Sequence, residues 1–371
     1  MKVAIITRHA ASNYGSLLQS IATQYILKKL GYENEIINYI RKDECGANST
    51  FTVAKSTPKW SKNIFMFLLY VILRYPENLY VSKKFEKMRK KYLKMTKLYL
   101  NSKDLEMDKP KADIYMTGSD QVWGNLLYGG YDWNYFLKFC NDRDKKIAFS
   151  SSFGKTNVSS ELDKRNMIDL LKKYSCISVR ENQAVSLLKD WGLNSEQVLD
   201  PTLLLSAKEW NDLLDLDNCS KKKKYILIYQ IHNDREVGKY AEKVAKKLNL
   251  PLLRVSAMLH QINQPGKLIL TPELREFVSY LKQASYLVTD SFHGTVFALN
   301  FNIPFVDIIP KTGTGSRIES ILKLTNLENR IVSDIDNLDI LDKEIDFKYS
   351  NKVLKEEREK SICVLNKFLE K

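Results

Sequence analysis

A chain of 371 residues that is 44% hydrophobic and 27% charged is long enough for two domains with real cores and too evenly mixed for wholesale disorder. Its net charge of +14 is concentrated, since residues 82–97 (SKKFEKMRKKYLKMTK) hold eight Lys or Arg against one Glu. Five single cysteines, Cys45, Cys140, Cys176, Cys219 and Cys363, form no CxxC pair, which excludes the common zinc frameworks and fits a reduced compartment.

The N-terminal MKVAIITRHA has too short an apolar run for a signal peptide and predicts a strand over Val3 to Thr7, so a cytoplasmic protein is expected. A polar loop, a helix from Ser16 to Leu30 ending at Gly31, and a strand from Asn34 to Tyr39 complete a βαβ unit. Its first loop lies where open parallel sheets place ligands. Residues 43–110 interrupt the alternation and read as an insertion.

Within that insertion, the longest apolar run, Ile64 to Leu73, has ten residues, and a spanning helix needs about 20. Together with the basic stretch that follows, Ile64 to Lys97 suggests peripheral contact with an anionic membrane, the inner face being the expected one. A solvated helix face remains open. Nucleic acid is not expected, because no RNP, zinc-finger or helix-turn-helix pattern accompanies the charge.

Alternation resumes with strands over Asp113 to Thr117, Lys146 to Ser150, Cys176 to Val179 and Val198-Leu199, separated by helices near 160–173 and 182–191. The charged stretch DLDNCSKKKK (215–224) reads as a linker. Beyond it come strands at Tyr225 to Gln230, Leu252 to Val255, Tyr286 to Thr289 and Phe305-Val306, with helices at Arg235 to Leu248, 272–283 and from Gly294. The expected fold is α/β, with two Rossmann-like domains facing across a cleft. Their expected extents are 1–214 and 215–371, with a C-terminal helix near 350–369 packing back.

No P-loop, GxGxxG, HExxH or GxSxG occurs. Candidate chemistry therefore rests on polar turns at strand ends. In TDSFHGTVFALNFNIPF (289–305), His293 opens a helix whose N–H groups and dipole suit an anion. Asp290 can orient an imidazole, and Gly294 permits close backbone approach. Arg180, in SVRE, offers a guanidinium to a carboxylate or phosphate or else pairs with Glu181.

Ser119, Asp120 and Gln121, after Gly118, can read hydroxyls or simply cap a helix. Asn13, Tyr14, Gly15 and Gln19 form the equivalent first loop. Gly315-Ser316-Arg317 is a loop able to deliver a cation. His9, His232 and His260 lack such company and read as structural or exposed. The acidic series from Asp334 to Asp346 has no metal-loop spacing, and no metal site is predicted.

Taken in order, NYGSLLQSIATQY, TGSDQVW, KKIAFSSSFG, SVRE, LDPTLLL, TPELREFV, TDSFHGTVFALNFNIPF and GSRIESIL resemble the polysaccharide pyruvyl transferase family over residues 1 to about 330. The resemblance implies a GT-B-like pair of domains. It also implies transfer of pyruvate from phosphoenolpyruvate to a sugar of a surface polysaccharide, such as a capsule or exopolysaccharide, or of its lipid-linked precursor, forming a ketal. No cofactor is implied; phosphoenolpyruvate is the donor substrate.

By the same resemblance His293 is the proton donor, supported by Asp290, and Arg180 binds the donor. Better-known members carry an arginine two residues before the histidine. Here that position is Ser291, which leaves Arg317 as the substitute cation, with Ser291, Gly294 and Thr295 on the donor side. Asn13, Gly15, Gln19, Ser119, Asp120 and Gln121 are expected on the acceptor side. A GT-B glycosyltransferase using a nucleotide-sugar and a non-catalytic sugar-binding scaffold are the alternatives.

Overall fold

A computed structural model describes residues 1–41, 46–126, 129–155, 158, 160–220, 223–310 and 315–370, apart from the side chain of His260. Cys45 and the middle of the expected linker lie outside the described residues. The chain divides into two compact units, Met1–Leu204 with Lys360–Lys371, and Leu205–Glu359.

The first unit runs β1 (Lys2–Ile6), α1 (Tyr14–Lys29), β2 (Glu33–Tyr39), α2 (Ser49–Ser56), α3 (Pro58–Ser61), α4 (Ile64–Tyr92), β3 (Met95–Tyr99) and α5 (Ser102–Met107). It continues with β4 (Ile114–Thr117), β5 (Lys145–Ser151), α6 (Glu161–Leu171), β6 (Cys176–Val179), α7 (Asn182–Asp190), β7 (Glu196–Gln197) and α8 (Pro201–Leu204). The second unit comprises α9 (Ala207–Leu214), β8 (Ile226–Tyr229), α10 (Arg235–Leu248), β9 (Leu252–Ser256), β10 (Lys267–Leu270) and α11 (Leu274–Lys282). It then adds β11 (Tyr286–Thr289), α12 (Phe292–Phe301), β12 (Phe305–Asp307) and α13 (Ser316–Leu324). Helix α14 (Phe347–Glu370) ends the chain.

All strand pairs are parallel, in the orders β3-β2-β1-β4-β5-β6-β7 and β10-β9-β8-β11-β12. The central strands KVAII, IYMT, ILIY and YLVT are buried almost throughout, as helices on both faces of a parallel sheet require. Strand order reverses between β1 and β4 in one unit and between β8 and β11 in the other. Connections leave in opposite directions at these points and open a crevice at the carboxyl ends.

Helix α1 shows how polar residues enter such a core. It is buried on most of its circumference, and Ser20 and Thr23 return their hydroxyls to the carbonyls of Ser16 and Gln19, each at 2.8 Å. Gln19 donates to Thr7 Oγ1 at 2.9 Å, tying the helix to the end of β1. Each of these buried donors thus keeps a partner.

Three expectations require correction. The region read as an insertion over 43–110 contains β3, which pairs in parallel with β2, so α4 belongs to the crossover between two strands of the sheet. MTKLY escapes notice because an edge strand needs no apolar face on its outer side. The same reasoning covers β10, KLIL, at the edge of the second sheet. Finally, the boundary lies at Leu204/Leu205 rather than at residue 214, and the last residues of α14 group with the first unit.

Candidate active site

In the second unit, Thr289 ends β11 and Ser291 caps α12, its hydroxyl accepting from the Gly294 N–H at 3.4 Å. Ser291, the position of the departure noted above, is thus occupied by a residue that satisfies an otherwise unpaired helix N–H. His293 follows in the first turn of α12, buried, with its ring edge-on to Phe292 at 5.2 Å. Arg317, from α13, brings its guanidinium to 5.5 Å from the Phe292 ring centre. The structure therefore gathers an imidazole, a guanidinium and a helix N-terminus around Phe292.

Asp290 is placed otherwise than expected. Its carboxylate accepts from the backbone N–H groups of Ile231 (2.7 Å) and His232 (3.0 Å), and its Oδ2 lies 3.2 Å from His232 Nδ1. Both oxygens are drawn to the β8–α10 turn across the strand reversal, so the histidine beside Asp290 is His232. That turn is braced from below. Gln230 donates to the carbonyls of His232 (2.7 Å) and Asp234 (2.5 Å) and accepts from Arg254 Nη1 at 2.7 Å. Arg254 is wholly buried, and burial lowers its pKa to about 10 although Asp290 favours its charge.

Gly294 and Thr295 also serve the fold. A Cβ at Gly294 would overlap Thr289 Oγ1, so this glycine lets α12 approach the end of β11. Thr295 is wholly buried; its hydroxyl lies 3.2 Å from the Ser291 carbonyl and 2.8 Å from Asp307 Oδ1. One hydroxyl proton cannot serve both acceptors. The shorter contact is the one in which the Thr295 hydroxyl donates to Asp307 Oδ1. Burial pushes the Asp307 carboxyl well above the usual carboxylate range, the Thr295 contact opposes that, and the charge of Asp290 reinforces it.

In the first unit, Asn13 caps α1 by accepting from Gly15 N–H at 2.7 Å and Ser16 N–H at 3.4 Å. Ser16 Oγ donates to Asp120 Oδ2 at 2.5 Å, bringing the first loop and the β4 loop together at the strand reversal. Asp120 sits at φ 77°, and its other carboxylate oxygen accepts from the Gln121 N–H at 2.8 Å. Ser119 donates to Asp200 Oδ2 at 3.0 Å. The predicted acceptor residues are thus mostly buried: Gln19 and Ser119 wholly, Asp120 and Gly15 nearly so, with Asn13 and Gln121 partly accessible.

Arg180 has a side chain only 1% exposed. Its Nη1 meets Asp200 Oδ2 at 2.6 Å, while Asp120 and Glu181 stand at 3.7 Å. Burial opposes its charge, but Asp200, Asp120 and Glu181 outweigh that and hold its pKa above the usual value. One guanidinium facing three carboxylates is a poor place for an anionic donor. The ion-pair alternative read from the sequence, widened to three partners, describes Arg180 better than donor binding.

A cavity of about 550 Å³ opens elsewhere in the first unit, lined in part by Tyr39 and Arg41 after β2, Asn101 after β3, and Tyr131, Trp133 and Lys138. Tyr39 and Arg41 both reach Asp132, at 2.9 and 3.3 Å.

Comparison with known families decides the assignment. The model of the polysaccharide pyruvyl transferase family matches residues 13–309, which includes the turns after β4, β6 and β11. The chain belongs to this family. No curated protein matches it. Among solved structures, the fold is similar to UDP-GlcNAc 2-epimerase from Neisseria meningitidis bound to UDP-GlcNAc (12% identity, 99% of this chain and 100% of that one, TM-score 0.53).

It is also similar to UDP-GlcNAc 2-epimerase from Methanocaldococcus jannaschii (12% identity, 96% and 92%, TM-score 0.51) and to Arabidopsis thaliana UGT89C1 complexed with UDP-L-rhamnose (9% identity, 98% and 97%, TM-score 0.51). At such identities the likeness is one of fold, two Rossmann-like units of the GT-B kind.

Around this site lie two residues that the sequence reading does not single out, Arg254 and Asp307, and one, His232, that it reads as structural or exposed. His232 follows the apolar run YILIY in the turn QIHND, the same strand-then-polar-turn signal that marked His293. Arg254 and Asp307 carry no such signal, because a charge inside LLRVS or PFVDII is indistinguishable in sequence from one at a strand's exposed end.

Proposed function

We propose that this transferase moves the pyruvyl group of phosphoenolpyruvate onto two hydroxyls of a sugar in a surface polysaccharide or its lipid-linked precursor, releasing phosphate and leaving a cyclic ketal. The observation that carries this reading is Arg317 over the Phe292 ring, beside His293 at the start of α12. A small, highly charged anion with a carboxylate and a phosphate wants a guanidinium and a helix N-terminus, and its methylene carbon wants an acid. Arg317 supplies the cation that Ser291 does not.

In this reading His293 protonates the enol methylene as a first sugar hydroxyl adds to the neighbouring carbon, and His232, oriented by Asp290, takes that hydroxyl's proton. The second hydroxyl then displaces phosphate, which carries away the second proton. Positive charge developing at the ketal carbon is met by the carboxylate of the substrate itself. Arg317 stabilises the leaving phosphate. For the acceptor, the aromatic residues Tyr131 and Trp133 lining the cavity of the first unit suit a sugar better than the buried Ser119 and Gln19 do.

The test is phosphate release from phosphoenolpyruvate with a panel of sugar acceptors, with the ketal identified by NMR. His293→Ala is expected to lower kcat by about 10² to 10⁴. Arg317→Ala should raise the KM for phosphoenolpyruvate by about 10 to 100-fold. Trp133→Ala should raise the KM for the acceptor alone. Absence of turnover with every acceptor and of any thermal shift with phosphoenolpyruvate overturns the proposal, and a shift with a nucleotide-sugar instead transfers the site to glycosyl transfer.

A further inference from the structure

Helix α4 is anchored at one end and bare at the other. Its C-terminal half packs on the first unit: Val81, Phe85 and Met88 are buried, the Phe85 ring lies 5.0 Å from Tyr14, and Arg89 donates to the Ala10 carbonyl at 3.2 Å. The N-terminal half packs instead against α2 and α3. There Ile64, Phe65, Leu68, Leu69, Ile72 and Leu73 remain exposed, Phe65 by 78% and Ile72 by 69%.

At 100° per residue these six positions share one side of the helix, and continuing along that side brings Leu79 and Tyr80, then Lys83, Lys87, Lys90 and Lys91. A single exposed face thus changes from apolar to basic along its length, with Pro76 between the two. Lys55, Lys59 and Lys62, all exposed, border the apolar end from α2 and α3.

From these observations we infer that the outer face of α2, α3 and the first half of α4 docks on an anionic lipid bilayer. Three facts select this occupant. First, a contiguous apolar patch of this kind is uncommon on a surface facing only water. Second, between Ser49 and Lys94 the chain has eleven Lys and Arg, and its only acidic residues are Glu77, buried beside Arg74, and Glu86, held by Lys90 at 2.6 Å. Two copies meeting through this face would bring like charges together, whereas anionic headgroups complement them.

Third, the ten residues from Ile64 to Leu73 rise about 15 Å, half of the ~30 Å hydrocarbon core. A run of that length suits a helix lying along the interface, with its apolar face in the outer part of one leaflet and the flanking lysines of α2, α3 and the second half of α4 at headgroup level. A lipid-linked acceptor would be presented at this surface, a link that rests on the function proposed above. The docking itself does not.

The experiment is co-sedimentation of the full chain with phosphatidylcholine vesicles and with vesicles containing phosphatidylglycerol, at low and high salt. Binding to the anionic vesicles, weakened by salt, is the expected result. The Leu68→Glu/Ile72→Glu variant should abolish it. The Lys83→Glu/Lys87→Glu/Lys90→Glu variant should weaken it by at least about tenfold. These side chains point outward, so circular dichroism and melting temperature should match the parent, and phosphate release with a soluble acceptor should be unchanged.

Equal pelleting of parent and variants overturns the inference. So does a dimer, seen by sedimentation velocity, that the Leu68→Glu/Ile72→Glu variant dissolves in a protein that ignores vesicles.

Discussion

His9, Arg180 and Asp307 are charged residue types buried beyond the reach of water, and each resolves the cost differently. His9 lies beside the Thr7 carbonyl (3.1 Å) and the Asn38 carboxamide (3.2 Å), and burial lowers its pKa from 6.5 to about 4. The folded state therefore refuses a proton that the unfolded chain accepts below pH 6.5. Stability from this residue is complete above pH 6.5 and is lost as pH falls toward 4, by about 3 kcal/mol over the window. Urea denaturation of the parent and of His9→Gln at pH 7, 6 and 5 should show a flatter pH dependence in the variant.

Asp307 has the opposite sign. Burial raises its pKa above that of the unfolded chain, so the stability it contributes is present below pH 3.8 and is lost as pH rises from there. Asp307→Asn mimics the neutral acid and should gain stability relative to the parent between pH 5 and 8. Arg180→Ala would leave Asp120, Glu181 and Asp200 buried without their cation and should cost about 3–5 kcal/mol. An Arg180→Ala protein with the parental urea midpoint but a raised KM for phosphoenolpyruvate would restore the donor-binding role instead.

At the level of elements, α12 shows how a helix can be specified by its contacts. It is buried nearly all round, so its sequence has no polar stripe, and its start is set by the Ser291 cap and by the absence of a side chain at Gly294. Gly294→Ala would drive a methyl into Thr289 Oγ1, which itself donates to the Tyr229 carbonyl at 2.6 Å and accepts from the Ser291 N–H at 3.0 Å. The expected cost is about 1–3 kcal/mol, read as a lowered melting temperature, with His293 displaced and activity reduced as well. Helix α4 is the reverse case. It passes for an insertion because its exposed face is apolar, and only its pairing partners show that it carries the chain from β2 to β3.

At the scale of the molecule, each unit is a parallel sheet whose strand order reverses once, and the candidate chemistry sits at those two reversals. The alternation of apolar runs and polar turns determines this much from sequence alone, because a strand buried on both faces must be apolar and the turn after it must satisfy its ends in water. Strand-end residues such as His293, Asp290, Ser119 and Asp120 are legible for that reason. So is the family, since eight ordered motifs survive without knowledge of the fold.

What the sequence could not determine is which partner each of these groups meets. Asp290 turns to His232, 58 residues away, and Arg180 finds Asp120 and Asp200 in the loops after other strands. Such pairings are made by strand register and loop approach, not by spacing along the chain. Arg317 at Phe292 and the face of α4 that changes from grease to lysine are likewise products of packing, because exposure is a property of neighbours that a sequence does not name.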